Sequence, residues 1–529
     1  MTGDSSAHTT ADVDASSHDA AVSNVVLVTV DSLRADAVSP YDADRHSPVI
    51  DSLAADGTVF DRAFANGNWT PFSFPSILAS EPVFARTGDI GVGESETLAE
   101  VLSEADVATG GFNAANGFLT EHWGYPDGFD EFEPFVTSVG SSVYSRYLAA
   151  HPTVEAWIQL ASSPVRRLGS KLRGDSDDRP FLDASRMFDV EDAATAFVDD
   201  TDEPFFLWVH YMDTHTPYVP APRYIREVSD GIVGTHQMLH AHARTSLGLE
   251  VGERTLRELR TLYQATVRQV DASVGRLLDS LDDAGVADDT AVLLAGDHGE
   301  EFQEHGHLAH YPKLYDELIH VPLVADVPGL DGGRVDGHVG LDAIPPTVAD
   351  LLGVDPADEW HGESLVPALR GDAEPSADTP DDSTDQPTKD EAAAGSDPGE
   401  NSELADDPVV SVTVRGDDVT QQPIPRSLSD GDLFVSARDD DWTYIENVDA
   451  GEAELYHRSA DPTQQENLAL DPDDRAQAVI DRLAPVVDAH AELLRERGEA
   501  AEAAAAERGD DGDEVDEDLE ARLEALGYK

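Results

Sequence analysis

Residues 255–285, TLRELRTLYQATVRQVDASVGRLLDSLDDAG, lead almost directly into 288–297, DDTAVLLAGD. The first stretch has the apolar spacing of a long amphipathic helix, and the second is a short apolar run that stops at an acid. A helix feeding a strand without polar alternation is the repeating unit of a parallel sheet covered by helices on both faces. The same signature opens the folded part of the chain at NVVLVTVD, residues 24–31. Between them, SPVIDSLAADG (47–57) predicts a helix capped at Ser47, with Pro48 in its first turn and Gly57 ending it. The expected fold is therefore α/β, a mostly parallel sheet sandwiched by helices.

Composition shifts divide the chain. Residues 1–23 lack periodicity and are expected to form an acidic, disordered tail, followed by a main catalytic-type domain over 24–370. Residues 371–407 are rich in Pro, Gly, Ser and acids, which predicts a flexible linker or insertion. Over 408–496, VVSVTVR (409–415), DLFVSARDDDWTYIENV (432–448) and AELYHR (453–458) predict a small antiparallel sheet with a hairpin turn at Asp439–Asp441. A helix over 473–496 is expected to cover it, and 497–529 to be an acidic tail ending in a short helix.

The 529 residues carry 107 acids against 34 basic residues, a formal net charge of -73. That excess repels itself in dilute buffer and is relieved by salt. Lysine occurs only at Lys171, Lys313, Lys389 and Lys529. Acid-rich, lysine-poor composition resembles proteins of salt-accumulating haloarchaea. It also argues against nucleic acid, whose binding requires clustered cations. With no cysteine there is neither a disulfide framework nor a thiolate metal site. The first 23 residues lack a basic head and an apolar core, and no run of 18 apolar residues occurs, so neither a secretory signal nor a membrane span is expected and a cytoplasmic location is the default.

Ligands of parallel sheets collect beyond the carboxyl ends of the strands. Here the apolar runs end in chemistry: VVLVTV at Asp31, AVLLAG at Asp297 and His298, FFLWVHYMDTH (205–215) with His210, Asp213 and His215, and ATGGFNAAN (108–116) at Asn113 and Asn116. One acid after a strand commonly caps the next helix. Two of them joined by a histidine form an oxygen and nitrogen shell for one divalent cation, Ca²⁺ or Mg²⁺ before Mn²⁺ or Zn²⁺. In NWTPFSFPSILAS (68–80), Pro75 suits a first helical turn, which would set Ser73 just ahead of a partially positive helix start that welcomes an anion. Lys313, one of four lysines, stands in a loop with His305, His307 and His310 and offers a point charge to an anionic oxygen.

With Asp31, Ser73, His215, Asp297, His298 and Lys313 in this order, the chain resembles the sulfatase family of the alkaline phosphatase superfamily. VLVTVDSLRAD resembles that family's first metal strand, SFPS its nucleophile motif, FFLWVHYMDTHTPY its His-X-Pro-Tyr segment, LLAGDHGEEFQEHG its second metal strand and KLYDELIHVPLV its lysine loop. WTYIENVDAGEAELYHRSADPTQQENLA is similar to its C-terminal subdomain, and the likeness covers most of 24–490. The resemblance implies metal binding by Asp31, Asp297 and His298, attack by Ser73, and contacts of His215 and Lys313 with the anion or leaving group. Asn113, Asn116 and His305 are placed as substrate contacts.

Three departures bear on the chemistry. Asp31 is followed by Ser32 where many members have two adjacent acids; Ile77 replaces the Arg of the formylglycine motif; and FNAAN replaces a Lys-X-His. The second predicts an unmodified Ser73. A formylglycine hydrate expels sulfate by collapsing to the aldehyde, whereas a plain serine sulfate must be hydrolysed directly. The expected function is metal-dependent hydrolysis of sulfuric esters of a small molecule or glycan. The alternatives are a phosphate mono- or diesterase or phospho-alcohol transferase on the same fold, and a non-catalytic binder of anionic glycans or headgroups.

Overall fold

The computed structural model describes residues 22–86, 88–93, 95–136, 186–201, 204–230, 240, 251–371, 407–416 and 425–508. The expected N-terminal tail up to residue 21, nearly all of the expected linker, and residues 509–529 with the expected terminal helix lie outside them.

Among the described residues the main sheet has nine strands: β1 (Asn24–Val30), β2 (Thr58–Phe64), β3 (Ala108–Asn113), β4 (Glu131–Glu133), β5 (Phe205–Tyr211), β6 (Thr290–Gly296) and, after a small separate hairpin of β7 (Glu301–Phe302) and β8 (Leu308–Ala309), β9 (His320–Val321), β10 (Leu323–Asp326) and β11 (Gly333–Gly340). Their order is β11-β2-β10-β6-β1-β5-β3-β4, with β9 attached to β2. All pairs from β6 to β4 are parallel, while β10 runs antiparallel to both its neighbours. The α/β expectation is borne out.

Strand periodicity divides the core between the two faces. Val25 and Leu27 join Phe206, Trp208, Leu293 and Ala295 on one face; Val26, Val28 and Val30 join Leu207, Val209, Val292 and Leu294 on the other. The first face is covered by the helix Thr70–Ala79 through Phe72, Phe74, Ile77 and Leu78. The second is covered by the 32-residue helix Glu253–Ala284 through Leu259, Leu262, Val270, Val274, Leu277 and Leu281. Trimming fully buried Leu262 to Ala would cost about 2–5 kcal/mol. The helix Pro48–Asp56 begins and ends as the sequence predicts, but its free amides are met differently: Asp271 of the long helix accepts from Val49 and Ile50 N–H at 3.0 and 2.9 Å.

The C-terminal sheet is an antiparallel meander of β12 (Val409–Arg415), β13 (Asp432–Arg438), β14 (Trp442–Asn447) and β15 (Glu452–His457). Its hairpin turns at Asp439–Asp441, as expected. The covering helix runs over Asp474–Arg508, past the expected end at 496, because the alanine-rich stretch after Gly498 favours helix. Phe434, Ile445 and Tyr456 pack this sheet against Phe64, Leu314, Leu318 and Ile319 of the main domain. At that seam fully buried Arg438 lies 3.6 Å from Asp316, which Arg458 meets at 2.8 Å.

Candidate active site

Four segments leave the sheet on one edge. Val30 and Gly296 are register partners on β1 and β6, and Val30 also pairs with Tyr211 on β5. Asp31 and Asp297 therefore emerge side by side, both 0% exposed. Gly296 is required for this: a β-carbon there would stand 2.4 Å from the Leu33 carbonyl. After Asp31 the chain turns through Ser32 at φ 57°, a left-handed conformation uncommon for serine. The turn aims the Ser32 amide at Asp297 Oδ1, 3.0 Å away, and Tyr263 of the long helix fixes it by donating to the Ser32 carbonyl at 2.8 Å.

Imidazoles surround the carboxylates. His298 Nε2 is 3.7 Å from both Asp31 Oδ1 and Asp297 Oδ2, and His210 Nε2 is 3.8 Å from Asp31 Oδ2. Ligand atoms of Asp31, His210 and Asp297 all lie within 4.8 Å of one another. His210 completes a candidate ligand set that the sequence reading left out, although the residue ends a strand beside the others. Its Nε2 is buried and has no hydrogen-bond partner. Its Nδ1 is 2.9 Å from Thr29 Oγ1, which also accepts from Trp208 Nε1 at 2.9 Å and faces the Val209 carbonyl at 3.4 Å. One proton arrangement satisfies all three contacts: Trp208 and His210 Nδ1 donate to Thr29, and Thr29 donates to Val209. That leaves the Nε2 lone pair pointing at Asp31, ready for a cation.

Charge supports the same reading. Burial and the neighbouring Asp31 push the Asp297 carboxyl well above its ordinary range. Burial would raise Asp31 too, but His215, His210 and His298 together hold it low. Two buried acids that repel each other, with an orphan imidazole nitrogen beside them, fit a divalent cation.

The helix Thr70–Ala79 starts earlier than the sequence reading places it. Pro71, not Pro75, occupies the first turn, and Pro75 is accommodated inside. Ser73 is consequently one turn into the helix, fully buried, donating to the Asp297 backbone carbonyl at 2.6 Å. The hydroxyl shared by both carboxylates belongs to Thr70, with Oγ1 3.2 Å from Asp31 Oδ2 and 3.1 Å from Asp297 Oδ2, while Ser32 Oγ donates to Asp31 Oδ1 alone at 2.8 Å. Asn116 Nδ2 reaches Asp31 Oδ2 at 3.2 Å and Thr70 Oγ1 at 3.3 Å. Asn113 instead braces the turn, donating to the Asn116 and Leu119 carbonyls at 2.9 and 3.0 Å.

The histidine loop divides in two. His310 stands between His215 and His298, with ring centroids 4.8 and 5.3 Å away, and its Nδ1 is 3.3 Å from Glu300 Oε2. Burial, with His298 beside it, pushes His310 down to about 3, and burial lifts Glu300 to about 7. His305 is held elsewhere, stacked 3.6 Å from Tyr315, with Nε2 3.0 Å from the Gln464 carbonyl. Lys313 donates to the His305 carbonyl at 2.6 Å and pairs with Glu301 at 3.4 Å. His310 carries no sequence signal that separates it from its loop neighbours.

Residues 23–354 match the sulfatase family model. The chain belongs to the sulfatase family. Human iduronate 2-sulfatase is 28% identical over 349 residues, 58% of this chain and 60% of that protein. Choline-sulfatase of Rhizobium meliloti (strain 1021) is 24% identical over 66% of this chain and 72% of its own length. This sulfatase-family chain thus spans less than two thirds of the human relative. Among solved structures, the phosphonate monoester hydrolase of Agrobacterium radiobacter superposes with a TM-score of 0.58 at 20% identity, covering 90% of this chain and 96% of that one. A structure holding its substrate D-glucosamine-2-N,6-O-disulfate gives 0.60 at 18%, covering 89% and 98%. These likenesses extend the sulfatase fold across both the main domain and the C-terminal sheet.

Proposed function

We propose that the chain is a metal-dependent hydrolase of anionic esters, sulfuric or phosphoric, with one divalent cation held by Asp31, Asp297, His298 and His210. The observation carrying this reading is the unpartnered, buried His210 Nε2 beside two buried carboxylates. Two carboxylates with two imidazoles form a borderline donor set, which suits Mn²⁺ or Zn²⁺ better than the all-oxygen preference of Ca²⁺. A bound cation supplies Lewis-acid polarisation of the ester oxygens. The protein's own groups do the rest: Asn116 orients a site oxygen, the first turn of the helix at Thr70 contributes its positive end, and His310 stands between His215 and His298 beside the carboxylates. The names of the relatives, sulfatases and a phosphonate monoester hydrolase, support sulfur or phosphorus as the central atom.

The test is metal analysis by plasma mass spectrometry on protein purified in molar KCl, paired with turnover of nitrophenyl sulfate, nitrophenyl phosphate and bis-nitrophenyl phosphate. One tightly held cation per chain and chelator-sensitive turnover of at least one ester are expected. Metal-free protein that also fails to turn over any ester after reloading would sink the reading.

A further inference from the structure

Resting on that reading, we propose that Thr70, not Ser73, is the nucleophile, and that the ester is therefore phosphoric or phosphonic. Thr70 is the first residue of its helix, and its Oγ1 lies within 3.3 Å of three polar groups of the site: Asp31, Asp297 and Asn116. Ser73 is one turn deeper, and its single proton is already committed to the Asp297 carbonyl at 2.6 Å. For Ser73 to attack, that bond must break and the side chain must turn out of the core. Thr70 needs only to release the proton it shares with the two carboxylates.

The substitution of threonine for serine changes the chemistry available. Oxidation of a serine side chain gives an aldehyde, whose hydrate expels sulfate without water attacking the sulfur. An unoxidised threonine carries a single hydroxyl on its β-carbon, not the pair of a hydrate, so that exit is closed. A Thr70 intermediate must be hydrolysed at the central atom, which phosphorus allows readily. In the first step Oγ1 gives up its proton and forms an O–P bond while the P–OR bond breaks, and that proton ends on the departing alkoxide, which leaves as the alcohol. In the second, water attacks phosphorus, the Oγ1–P bond breaks, the attacking water's proton returns to Oγ1 and phosphate or phosphonate leaves.

The experiment uses the full chain in molar salt with nitrophenyl phosphate. The reaction is quenched in acid, and the tryptic peptide between Arg62 and Arg86 is sequenced by mass spectrometry. A phosphoryl group on residue 70 is expected, retained in Thr70→Ser. Thr70→Ala should lose about a thousandfold or more in turnover while binding metal as wild type does. A phosphoryl group or an aldehyde on Ser73, or wild-type turnover by Thr70→Ala, overturns the assignment and leaves the hydrolase reading standing. If no ester is turned over by metal-loaded wild type, the hydrolase reading fails first and this one with it.

Discussion

Asp31 and Asp297 leave the sheet on the same rung, as the next residues after register partners on adjacent parallel strands. Nothing in the polypeptide moves to bring these acids together, because the hydrogen-bond ladder of the strands already does so. The cost is repulsion between two buried carboxylates, visible in the raised Asp297 carboxyl. Metal removal should therefore expose a weakness. Chelation is expected to lower the melting temperature, since a ligand at a hundredfold its Kd contributes about 2.7 kcal/mol. In the metal-free state Asp297→Asn should melt higher than wild type, while binding no metal. Calorimetry with and without chelator checks both, and a metal-free variant that melts lower than metal-free wild type would contradict the repulsion argument.

The Trp208–Thr29–His210 contacts imply that metal affinity is set partly from inside the sheet. Thr29→Val keeps the shape of this 0% exposed site but removes the acceptor for His210 Nδ1. A loss of about 10–100-fold in metal affinity is expected. Pulsed electron paramagnetic resonance of Mn²⁺-loaded protein should show two coordinated imidazoles, falling to one in His210→Ala. Two in the variant would remove His210 from the ligand set.

Ser73 should be plain serine. Ile77 departs from the modification motif, and the buried hydroxyl makes a 2.6 Å hydrogen bond that an aldehyde could not donate. Intact mass of the peptide holding residues 63–86 gives the answer directly.

Asp316 ties the C-terminal sheet to the main domain. Burial alone would raise its carboxyl, but Arg458 and Arg438 bring it down to about 2. A folded-state value below the ordinary 3.8 means the contribution is complete above about pH 4 and is lost as pH falls towards 2. Asp316→Asn leaves the fully buried Arg438 without its counter-charge and should cost about 3 kcal/mol. Urea unfolding in molar salt should show that loss at neutral pH, narrowing on acidification.

The net charge of -73 predicts strong salt dependence. Melting temperature should rise steeply between dilute buffer and molar KCl, because exposed charges are screened over about 3 Å at 1 M. Salt-independent melting would show that the charge is neutralised locally.

What could be read from sequence was whatever the strands impose. Apolar runs ending in Asp31 and Asp297 located the sheet edge, and the same pattern identified β5 and β3. The helix start was misplaced because two prolines four residues apart each suit a first turn, and only packing of Phe72 and Phe74 into the core chooses Pro71. That three-residue difference put Ser73 where Thr70 stands. His210 was named with the other strand-end residues but not among the metal ligands, because its unpartnered nitrogen is visible only in three dimensions. The loop histidines were indistinguishable in sequence because their roles depend on which neighbour each ring meets, Glu300 for His310 and Gln464 for His305.

That last contact gives the far end of the chain a part in the site's upkeep. Gln464 holds His305 through its carbonyl and receives the Asp316 amide on its side chain at 2.8 Å, so the loop bearing His310 and Lys313 is moored to the segment that follows the meander sheet. Trimming the protein to its larger half would cut that mooring, and the rim of the candidate site would loosen.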